Sequence, residues 1–148
     1  MTKLDQYSGS QGKQHLAAAL RSHEIIGNDE ALAKKFAEHA TVEEFSNGKT
    51  LLHQNASDHH VYLILEGEVA VEVNGKRVAT GGPGVPIGEM AILDPSGGRS
   101  ASVVAIKDTI VARVTPERFE ALATEYPQIW RAIARELARR VRRHNARF

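Results

Sequence analysis

Hydrophobic and polar positions change rhythm twice along the chain. Between residues 13 and 40 the apolar residues fall at helical spacing. Leu16, Ala19 and Leu20 share one face, and beyond Asn28, read as an N-cap, Leu32 and Phe36 continue four residues apart. From Thr41 the spacing becomes that of short strands divided by turn residues. Thr41–Phe45 leads into Asn47-Gly48, a hairpin signal, and Thr50–Leu52 follows. Val61–Leu65 is a strand stopped by Glu66-Gly67. Val69, Val71 and Val73 then alternate with Ala70 and Glu72 until Asn74-Gly75 turns the chain into Val78. Ser102–Ile106 and Thr109–Val114 are predicted to pair across Lys107-Asp108. Helical rhythm returns with Thr115-Pro116-Glu117, a cap followed by proline at the first helical position. Pro127 opens a last helix to about Arg143, on which Trp130, Ile133, Ala134, Leu137 and Val141 form one stripe. Arg140 lies at the edge of that stripe and Arg139 is predicted to point away from it.

Short strands at regular spacing, with helices only at the two ends, predict an α+β fold: an antiparallel β-roll of jelly-roll type flanked by N-terminal and C-terminal helices. One domain is expected, divided into a helical segment over 1–40, the roll over 41–114 and closing helices over 115–148. A chain of 148 residues buries enough apolar surface to hold itself together without staples. It has no cysteine, which removes disulfides and thiolate chemistry and agrees with a reducing, cytoplasmic setting. The polar start, Met1 to Gln14, lacks the apolar core of a signal peptide. No apolar run approaches the roughly 20 residues of a membrane span.

The net charge of +1 is uninformative, but residues 131–148 hold seven arginines and a single acid, Glu136. With no aromatics among them beyond Trp130 and Phe148, a solvated helix face is expected there rather than a nucleic-acid surface. Ile129, Trp130, Ile133 and Leu137 carry more apolar surface than contact with the roll requires, so a homodimer through this helix is expected.

Several motifs fail on inspection. Gly48-Lys49-Thr50 resembles the end of a phosphate-binding P-loop, but the required first glycine is Glu43. Gly82, Gly84 and Gly88 are misspaced for a dinucleotide fingerprint and are interrupted by Pro83 and Pro86. His59 and His60, adjacent on a strand, would face opposite ways and make a poor metal pair. No metal or cofactor is expected.

The informative stretch is GPGVPIGEMAILDPSGGRSASVVA, residues 82–105. Gly88 permits close backbone approach. Glu89 to Leu93 is long enough for one or two helical turns, whose first N–H groups would be unpaired and face an anion. Asp94 to Gly98 is a loop. Arg99 follows at the mouth of a strand, where its guanidinium can take two phosphate oxygens together, and Ser100 adds a hydroxyl. A cation, a hydroxyl and backbone donors thus stand ready for one phosphate, with a carboxylate able to accept from a sugar hydroxyl. Taken singly, Glu89 is equally an ordinary helix-start carboxylate and Arg99 a solvated strand-end charge.

Gly88-Glu89-Met90-Ala91 followed by Arg99-Ser100-Ala101-Ser102 resembles the phosphate-binding cassette of the cyclic-nucleotide-binding domains. The resemblance runs from about Phe45 to Arg143 and includes Gly48, Tyr62 and Gly67. It implies that Glu89 holds the ribose 2′-hydroxyl, that Arg99 holds the cyclic phosphate, and that Ser100 and the N–H groups of Gly88, Met90, Ala91 and Ala101 surround the remaining oxygens. Arg140 falls where some members place a base-contacting arginine. Three positions depart from the family pattern: Ile87 for a common phenylalanine, Gly98 for a frequent proline, and Asn55 for a turn glycine, which Asn tolerates because it enters the left-handed region.

Such a domain is a switch. A transcription regulator would need a helix-turn-helix after the last helix and a channel would need membrane spans, and neither is expected in these 148 residues. VNGKRVATGGPGVPIGEMAILDPSGGRSASVVA and the ending IWRAIARELARRVRRHN are similar to the N-terminal sensor of Pycsar TIR-type effectors. That resemblance implies a cyclic pyrimidine ligand, cUMP before cCMP, made by a bacterial cyclase during phage infection. It also implies a C-terminal TIR domain, hydrolysing NAD, in a longer parent. A cAMP-binding regulatory or adaptor domain is the alternative. Val73, Val78 and Arg140 do not distinguish uracil from cytosine.

Overall fold

The structure of the chain, a computed structural model, describes residues 3–145; Arg147 and Phe148 of the arginine-rich ending lie outside them. A short 3₁₀ turn over Lys3–Tyr7 precedes two helices, α1 (Gly9–Arg21) and α2 (Glu30–His39). The helical stretch is divided close to where the sequence placed a cap. Gly27 and Asn28 both take left-handed backbone, each with φ of 63°, which ends any helix. The cap of α2 is accordingly Asp29 and not Asn28. Asp29 has the extended backbone an N-cap needs, and its carboxylate accepts from the Leu32 N–H at 3.0 Å.

Eight strands follow: β1 (Thr41–Phe45), β2 (Thr50–Leu52), β3 (Val61–Glu66), β4 (Val69–Val73), β5 (Lys76–Gly81), β6 (Pro86–Ile87), β7 (Ser102–Ala105) and β8 (Thr109–Val114). A one-turn helix α3 (Met90–Leu93) lies between β6 and β7, and α4 (Pro116–Glu125) and α5 (Gln128–Asn145) close the chain. The strands form two antiparallel four-stranded sheets, ordered β1-β8-β3-β6 and β2-β7-β4-β5. The α+β roll flanked by helices is thus as expected.

Two predicted hairpins are instead corners that carry the chain from one sheet to the other. Asn74-Gly75 is a true hairpin turn between β4 and β5, with both residues left-handed at 52° and 80°. At Asn47-Gly48 only Gly48 is left-handed, φ 94°, and the two-residue reversal fails; β1 pairs with β8 while β2 pairs with β7. Likewise β7 and β8 do not pair across Lys107-Asp108 but enter different sheets. The two corners are joined where the Asn47 N–H donates to Asp108 Oδ1 at 2.9 Å.

Apolar continuity in β3 reflects burial on both faces. Val61 and Leu63 pack with the helices, in the cluster that holds Phe36, Phe119, Ile129 and Ile133. Tyr62 and Ile64 turn inward to Val69, Val103 and Val111 in the roll. Phe119, fully buried, meets Phe36 edge-on at 6.4 Å and Trp130 at 5.9 Å, geometries that add to area burial.

The phase of α5 differs from the predicted stripe. Ile129, Ala132 and Ile133 are buried, Trp130, Glu136, Leu137 and Arg140 half-buried, and Ala134 and Val141 exposed. The first two turns seat in the cluster that α4 forms with β3 and β8, and Glu136 and Arg140 line the cleft described below. Ile129 and Ile133 are consequently spent inside the chain's own core, and the dimer surface expected from them is not an exposed apolar face. No helix among the described residues is long and apolar enough to cross a membrane.

Candidate functional site

A cleft of about 700 Å³ opens at the roll, within the range of small-molecule sites. Leu52, Val71, Val73, Val78 and Val85 make an aliphatic wall; the segment after β6 makes another, and α5 contributes Glu136, Arg140 and Arg143. Gly88, Glu89, Met90, Ala91, Arg99, Ser100, Ala101 and Arg140 all line this cleft, which brings together residues separated by up to about a third of the chain.

Local geometry follows from Gly88. β6 pairs with β3, placing Ile87 opposite Tyr62, and Gly88 then turns the chain with φ of 89°. A Cβ at this position would lie 2.6 Å from Arg99 Nη1 and 2.8 Å from the His60 carbonyl oxygen. Only glycine lets the guanidinium lie against the main chain here. The helical turn that follows is shorter of free donors than expected. The Ala91 N–H donates to the Gly88 carbonyl at 3.3 Å and the Ile92 N–H to the Glu89 carbonyl at 3.1 Å.

Arg99 is buried, 4% exposed. Its backbone is fixed by two main-chain bonds to the β2–β3 loop: the Asn55 N–H donates to the Arg99 carbonyl and the Arg99 N–H to the Ala56 carbonyl, each at 2.8 Å. Asn55 takes the left-handed conformation, φ 72°, expected of a turn-glycine replacement. The guanidinium donates through Nε and Nη2 to both oxygens of Asp58 at 3.3 and 2.7 Å, through Nη2 to the His60 carbonyl at 2.8 Å and through Nη1 to the Gly88 carbonyl at 3.1 Å. Its hydrogen bonds to Asp58 hold that carboxyl below the usual carboxylate range, against partial burial.

Asp58 is a residue sequence reasoning missed, and it changes the chemistry. The fork expected to take two phosphate oxygens already holds a carboxylate in that way. With five donors on a guanidinium and four bonds made, an incoming anion must use the remaining donor or displace Asp58. Asp58 is able to leave, because its side chain is 42% exposed and rehydrates readily. His59 and His60 precede β3 in a loop rather than on a strand, and His60 serves the site through its main chain.

Glu89 is 2% exposed. Burial pushes its carboxyl above the ordinary range; Arg140 pulls the other way, as an ion pair from Nη2 to Oε1 at 3.3 Å. Arg140 therefore faces the carboxylate rather than only a base. Its Nε donates to Glu136 at 3.3 Å, and Glu136 also takes two bonds from Arg139, at 3.2 and 3.0 Å. Arg139, predicted to point away, pairs as well with Glu24 in the α1–α2 loop. Glu24, Arg139, Glu136, Arg140 and Glu89 so form an ionic chain from the N-terminal helices through α5 to the cleft. The lone acid among seven arginines was the available signal for Glu136; nothing local marked Glu24.

A family model described as the cyclic nucleotide-binding domain matches residues 42–126. The chain belongs to that family. This cyclic-nucleotide-binding domain is 37% identical to the Pycsar effector protein XpPycTIR of Xanthomonas perforans over 142 residues, 96% of the chain and 47% of that protein. It is 35% identical to the Pycsar effector protein PaPycTIR of Pseudomonas aeruginosa, again over 96% of the chain and 46% of the relative. The domain thus spans about half the length of the curated relatives it matches. Among solved structures, the Thermus thermophilus catabolite activator protein superposes with a TM-score of 0.68 at 31% identity, over 80% of the domain and 55% of that chain. Among the described residues, this domain holds no group of three His, Asp or Glu arranged for a metal.

Proposed function

We propose that this domain senses a 3′,5′-cyclic pyrimidine mononucleotide, cUMP before cCMP, in the cytoplasm. In a longer parent it would govern a C-terminal TIR domain that hydrolyses NAD. The observation that carries the ligand class is the convergence of Arg99 and Glu89, both nearly fully buried, on one cleft with an aliphatic wall. The pyrimidine and the TIR output are supported by similarity to the Pycsar effectors.

In this scheme the cyclic phosphate takes Arg99 and Ser100, with Asp58 giving way, and Glu89 accepts from the ribose 2′-hydroxyl. Glu89 then shares its carboxylate between ligand and Arg140, so occupancy alters the hold of the cleft on α5. That difference in affinity between two positions of α5 is what limits the signal.

A thermal-unfolding panel of cUMP, cCMP, cAMP and cGMP tests the proposal. A ligand at 100 times its Kd adds about 2.7 kcal/mol, equivalent to a rise in Tm of roughly 5–10 °C for a chain of this size. The largest rise is expected with cUMP. Preference for cAMP would make this a cAMP-binding regulatory domain, and no rise with any of the four would overturn the ligand class.

Glu89→Gln separates ligand from fold. The raised pKa of Glu89 means that its ionised form costs the folded state, a cost present above its folded pKa and relieved as pH falls toward the ordinary carboxylate value. The variant is expected to unfold at higher temperature than the parent at pH 7, with the difference shrinking at pH 4.5. It should also bind cUMP about tenfold more weakly, since a charged acceptor becomes neutral. Lower stability at pH 7 would mean that the pairing with Arg140 outweighs burial.

A further inference from the structure

The two halves of α5 are held by different forces. The first half is anchored by burial: Ile129, Ala132 and Ile133 sit in the core with Phe36 and Phe119, and Leu137 packs half-buried against it. Beyond Leu137 no described side chain of the helix is buried, and Val141 is 58% exposed. This second half nevertheless carries Arg140 to the cleft. Without an apolar seat, its position depends on polar contacts.

Those contacts lie at two ends. Inside the cleft, Arg140 Nη2 meets Glu89. Outside it, Arg139 pairs with Glu24 of the α1–α2 loop, the one tie between the second half of α5 and the rest of the fold beyond the cleft among the described residues. Glu136 joins the two ends, taking Nε of Arg140 on Oε1 and both contacts of Arg139 on Oε2. The anchor at Glu24 is itself fixed, because its N–H donates to the Gly84 carbonyl at 3.4 Å, next to Val85 of the cleft wall. A single loop thus grips the wall segment through its main chain and α5 through its carboxylate.

We infer that Glu24 and Arg139 are positioning residues for the ligand: neither lines the cleft, and their pairing holds the second half of α5 so that Arg140 stays on Glu89. The role rests on the cyclic-nucleotide function proposed above. Arg140 works against burial to keep Glu89 ionised, and an ionised carboxylate accepts more strongly from a sugar hydroxyl than a neutral acid does. Once Arg139 is released, the end of the helix is free to leave and Arg140 leaves with it.

Calorimetric titration of cUMP and of cAMP into the parent domain, Glu24→Gln, Arg139→Gln and the double variant tests the role. The paired side chains are 33% and 47% exposed, so the pair acts on the scale of a surface ion pair. Glu24→Gln is expected to weaken each nucleotide about threefold, and by the same factor, since Glu89 meets the sugar that both share. Arg139→Gln should cost as much or more, because Glu136 loses a partner too. The double variant should bind no more weakly than Arg139→Gln alone, since Glu24 acts only through Arg139. Arg139→Lys, which keeps the charge, should recover most of the affinity. Unchanged or tighter binding in Glu24→Gln, a loss confined to one nucleotide, or losses that add in the double variant overturn the role and leave the ligand class intact. Absence of binding of both nucleotides by the parent, with Arg99→Ala as the blank, overturns the ligand class and the role together.

Discussion

Arg99→Ala is expected to weaken cyclic-nucleotide binding by about 100-fold or more, the scale on which removing one member of a buried, hydrogen-bonded charge pair acts. The substitution takes away the buried cation of the cassette, and it also disassembles the cassette. The Gly88 and His60 carbonyls lose their donor, and Asp58 is left facing the place proposed for the phosphate. The anion would then meet a like charge instead of a guanidinium. Arg99→Lys should fall nearly as far, because one ammonium cannot span two carbonyls and two carboxylate oxygens as a planar fork does. Titration calorimetry, with circular dichroism to confirm the fold, measures both. Affinity within a few-fold of the parent in either variant would place the phosphate elsewhere.

Acidification is expected to cost the fold about 3 kcal/mol through His23 alone. This side chain, 3% exposed, sits in the α1–α2 loop with Nδ1 accepting from the Ile25 N–H at 3.4 Å and Nε2 buried without a hydrogen-bond partner. Burial lowers its pKa from 6.5 to about 4, while the nearby Val85 main chain favours the protonated ring but is not placed to bond Nε2. Between those values the unfolded chain binds a proton that the folded chain refuses. Stability is therefore complete above pH 6.5 and falls as pH drops to about 4, a gap of about 2.5 pH at 1.36 kcal/mol each.

Asp58 acts in the same direction lower on the scale, because its depressed pKa gives stability that is lost as pH falls through the carboxylate range. Glu89 acts oppositely. His23→Asn keeps an acceptor for Ile25 but cannot titrate. Denaturant unfolding at pH 7 and pH 4.5 should show the parent losing about 2–3 kcal/mol more than the variant. Equal losses would mean that His23 is protonated at no cost in the folded state.

Much of the element pattern was legible from local chemistry. Six of the eight strands were found to within a residue or two, and β5 was marked only by Val78, because alternation and turn residues act over a few positions. Thr115 caps α4 with proline behind it, as read. Turn chemistry was less informative about partners. Asn47-Gly48 and Asn74-Gly75 are the same dipeptide, yet one is a corner between sheets and the other a hairpin. The dipeptide permits a reversal; the hydrophobic faces on either side decide which strand is met afterwards. The phase of α5 was misjudged for a similar reason. Its alanines fit either side of the helix, and contact with α4 chose the one that buries Ala132 and exposes Ala134.

For the site, the residues of the cassette were legible in the sequence by itself: a glycine, a carboxylate one residue later and an arginine after a short loop. It also determined the ligand class through the family pattern those residues match. Only the tertiary structure decided what surrounds them. Asp58 lies 41 residues from Arg99, Glu24 more than a hundred from Arg139, and Arg140 about fifty from Glu89. Ion pairs of that reach follow from how sheets and helices stack, since charge carries no record of its partner along the chain. Arg99 therefore emerges as a cation already held by a carboxylate, and Glu89 as an acid buried under an arginine of the last helix.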